Sequence, residues 1–249
     1  MTQAAPGPNA KDRIFVALDT PDLERAAKLA SALRGAVGGL KVGAELFTAH
    51  GPDGVRAVIG GERLFLDLKF HDIPNTAAGA LRAAARVRPF MVTVHAAGGP
   101  AMMQAAAQAA REAAEDADAP RPLVIAVTVL TSLDDSDLEA VGQHGPVGEQ
   151  VRRLAVMARD SGLDGAVCGP HEITALRALC GPDFVLVVPG IRPRLAPAGD
   201  QKRVMTPAQA VAAGADYLVV GRPITAQPDP VAAARRIAEE LADPGGVPA

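Results

Sequence analysis

The chain has 249 residues, 49% of them hydrophobic, and a formal net charge of −3 at pH 7. This length allows one large domain or two small ones with a substantial apolar core, and the mixed charge excludes the basic footprint of a nucleic-acid-binding protein. Two cysteines without a CxxC pair argue against a disulfide framework and favour a reducing, cytoplasmic setting. The longest apolar runs are shorter than a membrane span requires.

A single catalytic domain is predicted over residues 11–243, because no linker-like segment divides the chain. Residues 1–10 lack the basic start and the apolar stretch of a signal peptide, so we predict a disordered tail there. Residues 244–249 are predicted to form a second disordered tail.

Eight short β-rich runs alternate with Ala-rich, helix-favouring stretches such as residues 22–33 and 102–117. Several runs are almost continuously apolar, which is typical of parallel strands covered by helices on both faces. The predicted strands are residues 13–18, 37–42, 63–69, 90–95, 123–128, 163–168, 184–188 and 216–220.

Eight βα units in a chain of this size predict a single-domain (β/α)8 TIM barrel, with a doubly wound open sheet as the alternative. Two irregular connections, residues 131–148 and 190–207, are too long for ordinary βα turns. Loops of that length are usually functional or mobile.

Charged residues stand where the first three predicted strands end, and in a parallel barrel this end carries the chemistry. Asp19 follows strand 1, Lys41 lies near the end of strand 2, and Asp67 and Lys69 end strand 3. Because Asp67 and Lys69 are two residues apart, their side chains share one face, which we assign to the barrel interior. One structural ion pair would explain this pair alone, but four inward charges at one barrel mouth predict a site.

A second set of polar residues follows strands 7 and 8, where barrels commonly bind phosphate. Arg192 comes two residues after a glycine that ends strand 7, and Gly221 and Arg222 follow strand 8. Arg222 and nearby backbone amides would suit a dianion, although Gly-Arg-Pro could be a simple turn. Gln201 lies in the preceding long loop and is predicted to fold over the same ligand.

Metal binding is not predicted. The five histidines are scattered without ligand-like spacing, and Asp134, Asp135 and Asp137 fit the solvated start of a helix. Cys168 lies in a predicted buried strand and is expected to be an inert core residue.

Residues 67–76, with the sequence DLKFHDIPNT, closely resemble the signature of the orotidine 5′-phosphate decarboxylase family. Further similar stretches occur in the family's order from about residue 13 to about residue 225. They are ALD at 17–19, LKVG at 40–43, LTS at 130–132, PGIRP at 189–193 and GADYLVVGR at 214–222.

The resemblance implies a (β/α)8 homodimer that uses neither metal nor cofactor and has its active sites at the dimer interface. It implies a charged array made of Lys41, Asp67, Lys69 and Asp72. By the same resemblance, Asp72, Ile73 and Thr76 complete the site of the partner subunit.

The resemblance also implies how the nucleotide is held. Asp19 and Lys41 would bind ribose hydroxyls, and Thr131 would meet the pyrimidine ring. The residues expected at the phosphate are Arg192, Gln201, Gly221 and Arg222, with Gln201 also near the ring.

The implied reaction converts orotidine 5′-phosphate to UMP and CO2 in pyrimidine biosynthesis. Loss of CO2 leaves a carbanion at C6 with little resonance stabilisation and no cofactor to accept the electrons. Preorganised charges must therefore stabilise it, and Lys69 is the expected proton donor. Asp67 and Asp72 would hold the ammonium groups in position.

Three other functions compete with this one. Mg²⁺-dependent sugar-phosphate decarboxylases and aldolases of the same superfamily share a similar Asp-x-Lys-x-x-Asp, but they carry a carboxylate where this chain has Lys41. A non-catalytic nucleotide-binding barrel would not need four clustered charges. A sugar-phosphate isomerase rests on fold analogy alone.

Overall fold

The computed structural model describes residues 9–193 and 205–242, which form a closed barrel of eight parallel strands in sequential order. The first strand pairs with both the second and the eighth. This pairing closes the sheet, so the predicted barrel is confirmed and the open-sheet alternative is wrong. Gln201 and nearly all of the two predicted tails lie outside the described residues.

Each strand lies within two residues of its predicted bounds. The strands are β1 (Ile14–Ala17), β2 (Gly39–Gly43), β3 (Leu64–Phe70), β4 (Met91–His95), β5 (Leu123–Val127), β6 (Gly165–Val167), β7 (Val185–Pro189) and β8 (Tyr217–Val220).

Helices follow the strands and cover the outside of the barrel. They are α1 (Leu23–Leu33), α2 (Ala44–Ile59), α3 (Pro74–Ala85), α4 (Gly99–Asp116), α5 (Asp135–Ala140), α6 (Val147–Asp160), α7 (Ile173–Cys180), α8 (Pro207–Ala212), α9 (Arg222–Thr225) and α10 (Pro230–Ala242). In the ranges the structure describes, no helix combines the length and the apolar character needed to cross a membrane.

Helix α5 lies inside a connection that the sequence analysis treated as irregular. Its N-terminus is a capping box, in which Asp134 accepts the backbone N–H of Asp137 and the Asp137 carboxylate accepts that of Asp134. The aspartates predicted to open a helix therefore do so. Helix α4 begins at Gly99, three residues before the predicted start, because Pro100 is favourable in a first turn.

Aromatic side chains fill the barrel interior at the N-terminal end of the strands. Phe15 packs edge-on against Tyr217, with ring centroids 5.4 Å apart, and stacks with Phe90 at 5.8 Å. Gly39 makes room for them, because a Cβ there would lie 2.4 Å from the Phe15 ring. The Arg63 guanidinium lies 3.7 Å from the Phe90 ring centroid and donates a 3.3 Å hydrogen bond to the Tyr217 hydroxyl.

Two aspartates at this same end bind neighbouring strands together. Asp164 accepts the backbone N–H of Val124 and a bidentate contact from Arg121, whose nitrogens lie 2.6 and 2.8 Å from the carboxylate oxygens. Asp216 accepts the N–H of Leu186 and a 2.6 Å bond from Arg177. Both stand in the pattern G-x-D-x-x-V-x-G, at residues 162–169 and 214–221. The pattern therefore marks one local design used twice, at the starts of β6 and β8.

Candidate active site

Charged side chains from the first three strands meet inside the C-terminal mouth of the barrel. Lys41 Nζ lies 3.1 Å from Asp19 Oδ1 and 3.7 Å from Asp67 Oδ2. Lys69 Nζ lies 2.8 Å from the same Asp67 oxygen. The four charges that the sequence placed at the mouth thus form one alternating chain, Asp19–Lys41–Asp67–Lys69.

The two middle members of this chain are buried, and the two end members are more exposed to solvent. The side chains of Lys41 and Asp67 are 10% and 13% exposed, whereas those of Lys69 and Asp19 are 39% and 62% exposed. The two buried charges are tolerable because each has an opposite charge beside it. Gly43 preserves space at the Lys41 ammonium, since a Cβ there would lie 3.2 Å from Nζ.

Lys69 has a backbone conformation that the sequence analysis did not anticipate. Its φ is 52°, in the left-handed region, which costs an ordinary L-residue about 1–2 kcal/mol. The pairing register between β3 and β4 shifts between Leu66 and Phe70, so the strand is irregular where the lysine stands. Such backbone strain tends to occur at functional sites.

Thr93 fills the gap that this irregularity creates. Its side chain is fully buried, its Oγ1 accepts the Lys69 backbone N–H at 2.9 Å, and its hydroxyl donates to Asp67 Oδ1 at 2.9 Å. The sequence analysis missed this residue. The available clue was a lone hydroxyl in an apolar strand, two residues before His95 and so on the same inward face.

Two imidazoles stand beside the charged cluster. The ring centroids of His71 and His95 are 5.2 Å apart. The pKa of His95 is lowered, chiefly by burial and further by the neighbouring His71 and Lys69. His95 therefore favours its neutral form, which adds no positive charge beside the lysine ammonium.

Asp72, Ile73 and Thr76 lie at the start of α3 and face outward. The Asp72 carboxylate accepts the backbone N–H of Ile73 at 2.7 Å, and within the described ranges it forms no salt bridge. The Ile73 side chain is 67% exposed, and Thr76 is also exposed. A single chain thus brings Lys41, Asp67 and Lys69 together but leaves Asp72 outside their contacts.

The predicted phosphate residues stand at the ends of β7 and β8. Gly190 has a φ of 80°, as expected of a glycine that turns the backbone after a strand. Arg192 follows and is half-buried, and its backbone N–H donates to Met205 O at 3.1 Å. Gly221 immediately precedes α9, whose first residue is the exposed Arg222.

Thr131 is exposed near the start of the connection that follows β5. It lines a cavity of about 460 Å³ that also contacts Gly190 and the segment Gly169–Glu172. The cavity therefore spans the ends of β5, β6 and β7, beside the predicted phosphate residues.

No group of three or more His, Cys, Asp or Glu side chains in residues 9–193 and 205–242 is arranged to hold a metal ion. Cys168 is 1% exposed, and burial is the main cause of its strongly raised pKa. A thiol in that state is a poor nucleophile, which agrees with its assignment to the core.

Comparisons with known proteins agree with the geometry. A family model described as orotidine 5′-phosphate decarboxylase / HUMPS family matches residues 12–237. An orotidine 5′-phosphate decarboxylase of Moorella thermoacetica is 59% identical over 94% of this chain and 93% of its own length. One from Paramagnetospirillum magneticum is 56% identical over 92% of this chain and 97% of its own.

Solved structures give the same result. The crystal structure of orotidine 5′-phosphate decarboxylase from Lactobacillus acidophilus superposes with a TM-score of 0.82 at 39% identity, covering 92% of this chain and 98% of that one. The family resemblance drawn from residues 67–76 is confirmed. The chain belongs to the orotidine 5′-phosphate decarboxylase / HUMPS family.

Proposed function

We propose that this protein is an orotidine 5′-phosphate decarboxylase, which converts orotidine 5′-phosphate to UMP and CO2 in pyrimidine biosynthesis. The observation that carries the proposal is the Lys41–Asp67–Lys69 cluster, in which one carboxylate oxygen lies 3.7 and 2.8 Å from two ammonium groups. Relatives that are 56–59% identical over nearly the whole chain, and bear this enzyme's name, support it.

The reaction breaks the bond between C6 of the pyrimidine and its carboxylate, and the electron pair stays on C6. The Lys69 ammonium, held by Asp67 at 2.8 Å, is already in place to stabilise that charge. Lys69 then donates a proton to C6, which gives UMP and leaves a neutral amine to be reprotonated from solvent. A metal or an organic electron sink takes no part in this scheme.

Asp67 has two tasks in this mechanism. Its carboxylate holds both ammonium groups in position, through ion pairs at 3.7 Å to Lys41 and 2.8 Å to Lys69. It also lies where the substrate carboxylate must approach Lys69, so it would crowd the departing CO2, a contribution to rate that is debated in general.

The active form is proposed to be a homodimer in which Asp72, Ile73 and Thr76 complete the partner's site. Their outward position on one chain supports this assignment, since Asp72 makes no salt bridge within the described residues. The 67% exposed Ile73 side chain would lose its contact with water against a second copy.

Substrate binding is assigned to residues around the mouth. Asp19 and Lys41 would hold the ribose hydroxyls, and Thr131 would contact the pyrimidine ring. The phosphate would be held by Arg192, Gln201, Gly221 and Arg222, with Gln201 also near the ring. Binding energy from the distant phosphate can help to assemble the reacting groups.

The Mg²⁺-dependent sugar-phosphate enzymes of the superfamily are the main competing assignment. The ammonium groups of Lys41 and Lys69 lie 3.7 and 2.8 Å from the Asp67 carboxylate oxygen, and both would repel a divalent cation bound to that carboxylate. A barrel that only binds nucleotides is the other alternative, and it leaves the cost of burying this cluster unexplained.

The direct test is to add orotidine 5′-phosphate to the purified protein and follow the loss of its ultraviolet absorbance, with and without EDTA. We expect conversion to UMP at the same rate in both. Absence of turnover by a folded dimer that still binds the nucleotide would instead support a binding protein. Turnover of sugar phosphates that requires Mg²⁺ would support the competing enzyme class.

A further inference from the structure

The interior of β4 carries one hydroxyl that contacts two different parts of the charged cluster. Thr93 is 0% exposed, and its Oγ1 lies 2.9 Å from the Lys69 backbone nitrogen and 2.9 Å from Asp67 Oδ1. It approaches neither ammonium group in any contact that the structure describes, so a role for it must be indirect.

The direction of each hydrogen bond follows from the chemistry of the groups. A backbone N–H can only donate, so the Lys69 N–H donates to a lone pair of Thr93 Oγ1. The single hydroxyl proton is then available for Asp67 Oδ1, which must accept it. The arrangement thus makes Oδ1 of Asp67 an acceptor and fixes the rotation of the carboxylate.

Fixing that rotation decides where the other oxygen points. With Oδ1 held by Thr93, Oδ2 is the oxygen that faces Lys69 Nζ at 2.8 Å and Lys41 Nζ at 3.7 Å. Both ammonium groups are therefore positioned by the Asp67 carboxylate, and Thr93 fixes the orientation of that carboxylate.

The second contact of Thr93 acts on the backbone of Lys69. The shift in register between β3 and β4 removes the regular ladder partner of this segment, and Lys69 has a φ of 52°. A buried N–H without a partner would be costly, and the Thr93 oxygen supplies that partner. The same bond stabilises the left-handed conformation from which the lysine side chain reaches Asp67.

We propose that Thr93 is a positioning residue for the decarboxylation, acting through the Asp67 carboxylate and the Lys69 backbone without touching the substrate. This inference rests on the proposed function. One buried hydroxyl would then position both the proton donor, Lys69, and its counter-ion, Asp67.

The test compares three variants with the wild-type protein. Thr93→Val keeps the shape of the side chain and removes the hydroxyl, whereas Thr93→Ser keeps the hydroxyl and removes a methyl group. Thr128→Val is the matched control, because Thr128 is also buried but its hydroxyl donates to Val167 O at 2.8 Å, away from the charged cluster.

We expect Thr93→Val to lower kcat about 10- to 100-fold, the effect of losing a hydrogen bond to a charged group that acts in the transition state. KM and the dissociation constant of UMP should change by less than about threefold, because ribose and phosphate contacts remain. Thr93→Ser should recover most of the lost kcat. Thr128→Val should lower the melting temperature without this loss of kcat.

Other outcomes would overturn the inference. It fails if Thr93→Val keeps the wild-type kcat, or if Thr93→Ser and Thr93→Val lose kcat equally, since loss of packing would then explain the effect. It also fails if Thr128→Val loses as much kcat as Thr93→Val. Failure of the proposed function is a separate result, because the wild-type protein itself would then not decarboxylate orotidine 5′-phosphate.

Discussion

The two ends of this barrel solve the problem of a buried cation in opposite ways. At the N-terminal end, the Arg63 guanidinium lies against aromatic rings and contacts a neutral hydroxyl. At the C-terminal end, Lys41 and Lys69 lie against a shared carboxylate of Asp67. The attraction between a cation and an aromatic face is weak and does not neutralise the cation. An ion pair in a partly buried site is stronger and fixes the position of the ammonium group.

This difference predicts that one end of the barrel contributes mainly to stability and the other mainly to catalysis. Substitutions at the aromatic end should change the free energy of unfolding and leave turnover unchanged. Substitution of Lys69 at the charged end should do the reverse, because its side chain is 39% exposed and adds little to the packed core.

Lys69→Ala should have the largest effect. We expect turnover of orotidine 5′-phosphate to fall by more than about a thousandfold, because both charge stabilisation and proton donation are lost. The melting temperature should stay close to that of the wild-type protein, since this side chain is 39% exposed. Lys28→Ala, at a surface ion pair with Glu24, is the control that should keep full activity. Near-normal turnover of Lys69→Ala would exclude it as the proton donor.

Arg222→Ala should lower kcat/KM for the nucleotide about a hundredfold, the expected loss for a charge-assisted contact worth ~1.5–3 kcal/mol. Orotidine, which lacks the phosphate, provides the control substrate. The variant and the wild-type protein should turn it over equally slowly. Equal losses with both substrates would mean that Arg222 acts on something other than the phosphate.

Arg63→Met tests the opposite end of the barrel. Loss of the cation–π contacts and of the bond to Tyr217 should destabilise the protein by about 1–2 kcal/mol and lower its melting temperature by about 2–8 °C. The value of kcat should not change. Arg25→Met, on the exposed surface of α1, should leave both quantities unaltered. A fall in kcat for Arg63→Met would show that the two ends are coupled.

His95 should give the smallest effect, visible as pH dependence of stability. Because its pKa is lowered below 6.5 in the folded state, the unfolded chain binds the proton first. Its contribution to stability is complete above pH 6.5 and is lost as the pH falls towards the lowered pKa. The melting temperature of the wild-type protein should therefore fall more steeply with decreasing pH in this range than that of His95→Asn. The same dependence of melting temperature on pH in both proteins would contradict a lowered pKa for His95.

The sequence was sufficient for the barrel and for its inward charges, and the reason is alternation. Asp67 and Lys69 lie two residues apart in an apolar strand, so one face of that strand had to be charged. Strand ends were less certain, because pairing with neighbouring strands decides them.

Three features of the candidate site depend on information that a single sequence does not carry. The left-handed backbone of Lys69 arises from a shift of register between β3 and β4. The contact of Thr93 with Asp67 joins residues 26 positions apart. The proposed role of Asp72 needs a second chain. Gln201 lies outside the described ranges, so its proposed role stays a prediction.

The paired aspartates at the starts of β6 and β8 bear on how such a barrel can evolve. Asp164 and Asp216 each accept a backbone N–H of the preceding strand and a contact from an arginine, at the end remote from the site. The pairs β5–β6 and β7–β8 are thus joined by the same contact between an aspartate and the neighbouring backbone. Loops at the opposite end can accumulate mutations and new specificities while this repeated joint preserves the framework that carries them.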